Sequence, residues 1–258
     1  MILDDIVLAT KRDVAQRKVK FPLDSLERHL ITTPVINRDF QTALTSKPCS
    51  IIAEVKRSSP SKGVICKNFQ PTIIAGTYEA GGAVAISVLT EPHFFGGNIT
   101  HMTDIRNETQ LHILRKDFIV DSYQIVEAKC YGADAILLIA KIHNESTIGA
   151  LLKETHKRNL VAIVEVHDEA DIDKALNAGA SIIGINNRNL TTFQTNLDTS
   201  LRLAQKIPKD IILISESGIN SRQDIESLMK VGIRTFLIGE ALMRENEATS
   251  KLKMLQGV

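Results

Sequence analysis

The amino-acid sequence predicts a single (β/α)8 TIM barrel over residues 1–258, with residues 1–50 forming a helical extension ahead of the first strand. Three observations carry this prediction. Apolar, β-branched runs recur at 51–55, 83–89, 111–114, 134–140, 160–166, 181–185, 211–215 and 234–238. Their spacing, roughly 20 to 30 residues, fits one strand, one helix and two short loops. No GxGxxG turn follows the first run, as an open dinucleotide-binding sheet would favour.

Taken in order, residues 2–18 place Ile2, Leu3, Ile6, Val7, Thr10 and Val14 at helical spacing. Lys11, Arg12, Arg17, Lys18 and Lys20 gather on the other face, which reads as a solvated face before it reads as an anion site. Pro22 interrupts, Leu23–Leu30 gives a second helical pattern, and Pro34 opens a loop into a third near Asp39–Leu44. Between the strands, Thr72–Ala80 stops at Gly81-Gly82, Asp121–Cys130 before Gly132, Asp168–Ala178 at Gly179 and Ser221–Lys230 before Gly232. Asp, Asn or Ser at the start and Gly past the end is the asymmetry that helix caps require. Asn144–His156 is a longer amphipathic run, and Glu240–Met254 closes the chain.

Composition narrows the function. Hydrophobic residues make up 43% and charged residues 24%, ordinary for a globular domain. A net charge of +1 sets up no global field for nucleic acid or an anionic membrane. No apolar run approaches the ~18 residues a bilayer span needs. Cys49, Cys66 and Cys130 are odd in number and form no CxxC, and Asp4 and Asp5 stand where a secretory signal would be basic. Reduced thiols in a cytoplasmic protein are expected.

Chemistry in such a barrel collects at the C-terminal ends of the strands. The first strand leads into Glu54-Val55-Lys56, so Ile52, Glu54 and Lys56 share one face. Alone, that pair is either a structural ion pair or one wall of a site. Lys116, Glu165, Arg188 and Glu216 close other strands, and six titratable groups around one rim favour a site. Burial there is expected to pull lysines down and carboxylates up. Ser217-Gly218 and Gly239-Glu240 follow the last two strands, where barrels most often bind phosphate. Phe94 and Phe95 offer an aromatic wall or simple packing under a loop. The histidines show no HxH or HExxH spacing, so no metal is expected. His93, His143 and His167 fall near strand ends but read first as structural. The residues thus describe a metal-free enzyme acting on a small phosphorylated substrate by acid–base chemistry.

Several ordered motifs then carry a resemblance. Ile51-Ile52-Ala53-Glu54-x-Lys56-x-x-Ser59-Pro60-Ser61, Ser87-Val88-Leu89-Thr90-Glu91 with Phe94-Phe95-Gly96-Gly97, and Leu114-Arg115-Lys116-Asp117-Phe118-Ile119 stand in the first half. Val164-Glu165-Val166-His167, Ile183-Gly184-Ile185-Asn186-Asn187-Arg188-Asn189-Leu190, Ile214-Ser215-Glu216-Ser217-Gly218-Ile219 and Phe236-Leu237-Ile238-Gly239-Glu240 follow. Together they resemble the indole-3-glycerol-phosphate synthase family along essentially the whole chain. The resemblance implies a carboxy-lyase of tryptophan biosynthesis without cofactor. It would convert 1-(2-carboxyphenylamino)-1-deoxy-D-ribulose 5-phosphate to indole-3-glycerol phosphate, CO2 and water. By the same resemblance Lys116 is the general acid for ring closure and Glu165 serves in the dehydration. Lys56, partnered by Glu54, neutralises the substrate carboxylate, while Asn186, Arg188 and Glu216 orient substrate and lysines. Phe95 stacks beside the anthranilate ring, and Ser59, Ser217, Gly218, Leu237, Gly239 and Glu240 form the phosphate side. Asn98 stands where serine is more often expected. A monomer, or a chain in weak association with other tryptophan-pathway enzymes, is expected. A sibling sugar-phosphate barrel such as phosphoribosylanthranilate isomerase, a Schiff-base aldolase using Lys116 or Lys56, and a non-catalytic phospho-ligand barrel remain as alternatives.

Overall fold

A computed structural model describes residues 2–33, 38–243 and 247–258. Eight parallel strands close into a barrel: β1 (Ser50–Val55), β2 (Ala85–Leu89), β3 (His112–Lys116), β4 (Ala135–Ile139), β5 (Val161–Val166), β6 (Ile182–Asn186), β7 (Ile212–Glu216) and β8 (Thr235–Ile238). β1 closes the ring by pairing with both β2 and β8. Each run of alternating β-branched residues therefore serves two cores. Ile51, Ala53, Val55, Val88, Leu138, Val164 and Ile185 point outward and pack beneath the surrounding helices. Ile52, Leu114, Leu137, Ile163, Ile214 and Leu237 point inward and fill the barrel.

The extension explains itself once the barrel is in place. Helix α1 (Ile2–Lys20) crosses the C-terminal mouth, where Ile2, Leu3 and Ile6 face the cavity described below. Helix α3 (Phe40–Thr45) closes the opposite end: Phe40 and Leu44 are fully buried in the interior cluster, and Thr235 Oγ1 donates to the Leu44 carbonyl at 3.0 Å. Between them α2 (Leu23–Thr32) packs on the helix Tyr123–Cys130, and Tyr123 OH donates to the Phe21 carbonyl at 2.9 Å. The loop expected to open at Pro34 lies outside the described residues.

The basic face of α1 is more than solvated surface. Lys11, Arg12 and Lys20 are exposed, but Arg17 Nε lies 2.8 Å from the buried Glu127 and Lys18 Nζ 2.6 Å from Asp121. Two barrel helices escape the sequence patterns, Thr100–Glu108 and Asp198–Leu203. The first has no side-chain N-cap and the second has only six residues, so neither carries a strong local signal. The closing helix is seen as two pieces, Glu240–Met243 and Ala248–Gln256, with 244–246 outside the described residues. No described helix is long and apolar enough to cross a membrane.

Candidate active site

The inward parity of the strands brings the titratable residues to one place. Glu54, Lys116, Glu165, Asn186 and Glu216 stand above the apolar filling of the barrel, at the floor of a cavity of about 540 Å3. Every residue to which the resemblance gives a role lines that cavity, including Lys56, Ser59, Phe95, Arg188, Ser217, Gly218, Leu237, Gly239 and Glu240, whereas Phe94, offered with Phe95 as an aromatic wall, is not among the lining residues. Phe118, Leu190 and Lys62 line it as well and were not nominated. Asn98 does not; its Oδ1 accepts from the Thr100 N–H and hydroxyl at 3.0 Å, turning it to the next helix.

Two charged groups divide the floor. On one side Lys56 Nζ donates to Glu54 Oε1 at 2.5 Å. The Glu54 carboxyl occupies the space a side chain on Gly239 would fill, so a Cβ there would collide with Oε1. Gly239 thus admits a carboxylate from the neighbouring strand, a constraint separate from any phosphate. At the centre, Lys116 Nζ donates to Glu165 Oε2 at 3.1 Å and lies 3.9 Å from Glu216 Oε2.

The protonation pattern corrects a sequence expectation. Burial does act to lower the pKa of Lys116, but Glu165, Glu216 and Glu54 outweigh it and hold the ammonium above its ordinary value. Burial likewise acts to raise Glu165, yet Lys116, His167 and Asn186 prevail and hold it well below the carboxylate range. Glu216 follows the expected direction: burial and the neighbouring Glu165 push it up to about 8, against the pull of Lys116. One lysine between two carboxylates favours one ionised carboxylate and one that keeps its proton to higher pH.

Buried polar scaffolding fixes these groups. Arg115, 1% exposed, donates to Asp117 Oδ2 at 2.8 Å, Glu127 Oε2 at 3.0 Å and the Gln124 carbonyl at 2.9 Å, pinning the chain on both sides of Lys116. Glu91 accepts from the N–H groups of His93, Phe94 and Phe95 at 2.9, 2.7 and 3.1 Å, which caps the short helix that presents Phe95. Phe95 lies against Phe118, ring centroids 6.1 Å apart. Asn187 Nδ2 lies 3.0 Å from Ser215 Oγ, the Glu216 carbonyl and the Ser217 carbonyl. It holds the turn after β7, where Ser217 adopts a left-handed φ of 67°.

The side of the cavity where the sequence places an anion is lined by Ser59, Lys62, Ser217, Gly218 and Glu240, around the loops after β1, β7 and β8. Ser59 sits in a small antiparallel hairpin, Ser58–Ser59 against Gly63–Val64, and Lys62 in its tip reaches within 4.0 Å of Glu240 Oε1. Arg188 donates to the Phe193 carbonyl at 3.1 Å and to Glu240 Oε2 at 3.4 Å, while Asn186 Oδ1 accepts from the Arg188 N–H at 2.9 Å. Among the described residues, no three His, Cys, Asp or Glu side chains are grouped to hold a metal ion.

Comparison with known proteins agrees with this architecture. The family model for indole-3-glycerol phosphate synthase matches residues 3–255. The chain belongs to the indole-3-glycerol phosphate synthase family. It is 47% identical to the indole-3-glycerol phosphate synthase of Sulfurimonas denitrificans over 99% of this chain and 98% of that one. It is 48% identical to that of Campylobacter jejuni subsp. doylei over 99% and 100%. Among solved structures, a 3-hexulose-6-phosphate synthase superposes with a TM-score of 0.65 over 81% of this chain and 98% of that one, at 14% identity, which shows the shared barrel alone. Within the indole-3-glycerol phosphate synthase family the chain is a carboxy-lyase of tryptophan biosynthesis.

Proposed function

We propose that in this member of the indole-3-glycerol phosphate synthase family Lys116 is the general acid of ring closure, Glu165 the base of the dehydration, and Lys56 the counter-ion of the substrate carboxylate. The observation that carries this reading is the position of Lys116 Nζ, between Glu165 at 3.1 Å and Glu216 at 3.9 Å on the cavity floor. The anthranilate carbon bearing the carboxylate attacks the ribulose carbonyl, whose oxygen gains negative charge. A lysine kept charged by its neighbours stabilises that oxygen and yields its proton only as an alkoxide forms. Loss of CO2 returns the ring electrons. The remaining hydroxyl then leaves as water, with a proton from a neutral acid, while a base removes the proton from the methylene carbon.

Glu165, held ionised, suits the base, and Glu216, which keeps its proton to higher pH, suits the acid that protonates the leaving hydroxyl. Glu54 steadies Lys56, Asn186 and Arg188 orient the substrate, and Phe95 and Phe118 border the aromatic ring. Ser59, Ser217, Gly218, Leu237, Gly239 and Glu240 border the phosphate, with Lys62 as an added cation. Anchoring the phosphate at one end and the carboxylate at the other folds the substrate for attack. The same reading treats residues 1–258 as one domain whose first 50 residues roof and floor the barrel, and takes the chain as a cytoplasmic monomer.

The test is Lys116→Ala, assayed by the fluorescence of indole-glycerol phosphate. Turnover is expected to fall at least ~100-fold, within the usual range for a general acid, while substrate still binds. Near-normal turnover would defeat the assignment. Borohydride reduction in the presence of substrate should leave the chain unmodified; a trapped adduct would instead mark Schiff-base chemistry.

A further inference from the structure

His167 stands two residues beyond Glu165, where β5 runs into its helix, and its side chain is only 10% exposed. Its Nε2 lies 3.3 Å from Glu165 Oε1, the oxygen that Lys116 does not take. Its Nδ1 lies 3.6 Å from Asp171 Oδ2. Asp171 is itself immobilised: its Oδ2 accepts from the His167 backbone N–H at 3.2 Å, and Lys174 Nζ lies 2.8 Å from its Oδ1. The carboxyl of Glu165 is therefore flanked on both oxygens, by Lys116 from β3 and by His167 from β5. Glu216 has no such second neighbour. Its Oε1 is buried without a hydrogen-bond partner, and its Oε2 is 3.9 Å from Lys116.

We propose that His167 is a positioning residue for the reaction: its ring sets a positive charge 3.3 Å from the free oxygen of Glu165 and so fixes Glu165, rather than Glu216, as the ionised carboxylate beside Lys116. This rests on the reading of Glu165 as the base of the dehydration. The charged surroundings favour a cationic imidazole. Glu165 faces it from β5, Lys116 and Glu216 stand beyond that carboxylate on β3 and β7, and Asp171 and Lys174 face it from the following helix. Lys141, at the end of β4, pairs with Asp168 at 2.9 Å, and the His143 ring lies 2.8 Å from the Ile119 carbonyl. Burial opposes the charge on His167, but Asp171 and Glu165 outweigh it and bring the imidazolium up to about 9. At neutral pH both ring nitrogens then carry protons, and the imidazolium pairs by charge with both acids, without an aligned hydrogen bond to either.

Without His167, Glu165 loses one of its two cationic neighbours and keeps a proton to higher pH. The experiment compares His167→Ala, His167→Gln and Glu165→Gln, each by kcat, KM and the pH profile of kcat. For His167→Ala, kcat is expected to fall about tenfold or more at pH 7 and its acidic limb to move to higher pH by about one, with KM within about threefold. His167→Gln keeps an N–H at the reach of Nε2 but no charge, so it should recover part of kcat while its limb stays raised. It also carries the test if His167→Ala does not fold.

An acidic limb in the folded variants identical to that of the unsubstituted chain overturns the proposal, since a packing role alone would leave the limb in place. A KM rise at unchanged kcat also overturns it, by making His167 a substrate contact. If Glu165→Gln keeps full kcat, the reading of Glu165 as base fails first. If Glu165→Gln is inactive and the His167 limb is unmoved, only the positioning role fails.

Discussion

Gly184 and Glu216 lie on adjacent strands, β6 and β7, and a methyl group on Gly184 would collide with Glu216 Oε1. The glycine is a seat for the carboxyl of the next strand, and Gly239 plays the same part for Glu54. Gly184→Ala should therefore push Glu216 away from Lys116. Overpacking of this kind costs about 1–3 kcal/mol in stability. The effect on chemistry should be larger: kcat is expected to drop at least ~10-fold through lost geometry, with thermal unfolding recorded alongside. A variant with the parental kcat would show that the seat has no bearing on the reaction.

The neutral state of Glu216 has a signature in stability against pH. Its folded value is raised to about 8 by burial and by Glu165, so the folded chain binds a proton that the unfolded chain releases near the ordinary Glu value. A raised carboxyl contributes stability that is full below the unfolded value and is lost as pH rises through about 8. Glu216→Gln removes this titration while keeping the shape. Relative to the parent, the variant should gain stability between about pH 5.5 and about pH 8.5, at a slope approaching ~1.4 kcal/mol per pH unit where the unfolded carboxyl is ionised and the folded one is not. His167 and Glu165 are present in both proteins, so the difference reports the titration of Glu216 together with its coupling to Glu165. Denaturant midpoints at the two pH values measure it, and a difference that does not change with pH would contradict the neutral carboxyl.

The sequence carried the barrel because its signals are local. Period-two alternation put Glu54, Lys116, Glu165 and Glu216 on inward faces, and strand spacing put them at one end. What it did not carry depends on three-dimensional neighbours. The direction of the Lys116 shift follows from three carboxylates on three other strands, a sum that no single strand end displays. His167 looked like an ordinary histidine near a strand end, because its relation to Glu165 is set by the bend into the next helix. The periodicity of α1 foretold an apolar face but not that Ile2, Leu3 and Ile6 would roof the cavity.

Asn187 is expected to matter through the turn it holds. Its amide lies at hydrogen-bonding distance from Ser215 Oγ and the carbonyls of Glu216 and Ser217, and its Oδ1 accepts from the Ser200 N–H at 3.0 Å. Asn187→Ala frees the left-handed Ser217 and the Gly218 beside it, which line the side of the cavity proposed for the phosphate. KM should rise about 10-fold or more, since a lost buried hydrogen bond costs about 1–3 kcal/mol, while kcat changes less. A fall confined to kcat would place the effect at Glu216 instead.

Arg115 offers a test of the support beneath Lys116. Its guanidinium is fully enclosed between Asp117 and Glu127, and Glu127 is shared with Arg17 of α1. Thr90 Oγ1 also donates to Asp117 Oδ2, at 2.6 Å, so the ends of β2 and β3 and the roofing helix meet in one buried network. Arg115→Met keeps the volume of the stem but leaves two buried carboxylates short of a cation, a loss of about 3–5 kcal/mol. Asp117 retains only the neutral donors Thr90 and the Phe118 N–H, whereas Glu127 retains Arg17, so the larger share of the loss is expected at Asp117. Adding Asp117→Asn to Arg115→Met removes the uncompensated charge and should restore part of the stability. Chemical unfolding of both single variants and the pair measures the coupling. Strictly additive losses would mean that the two side chains do not act as one network, and that Lys116 is held by its strand alone.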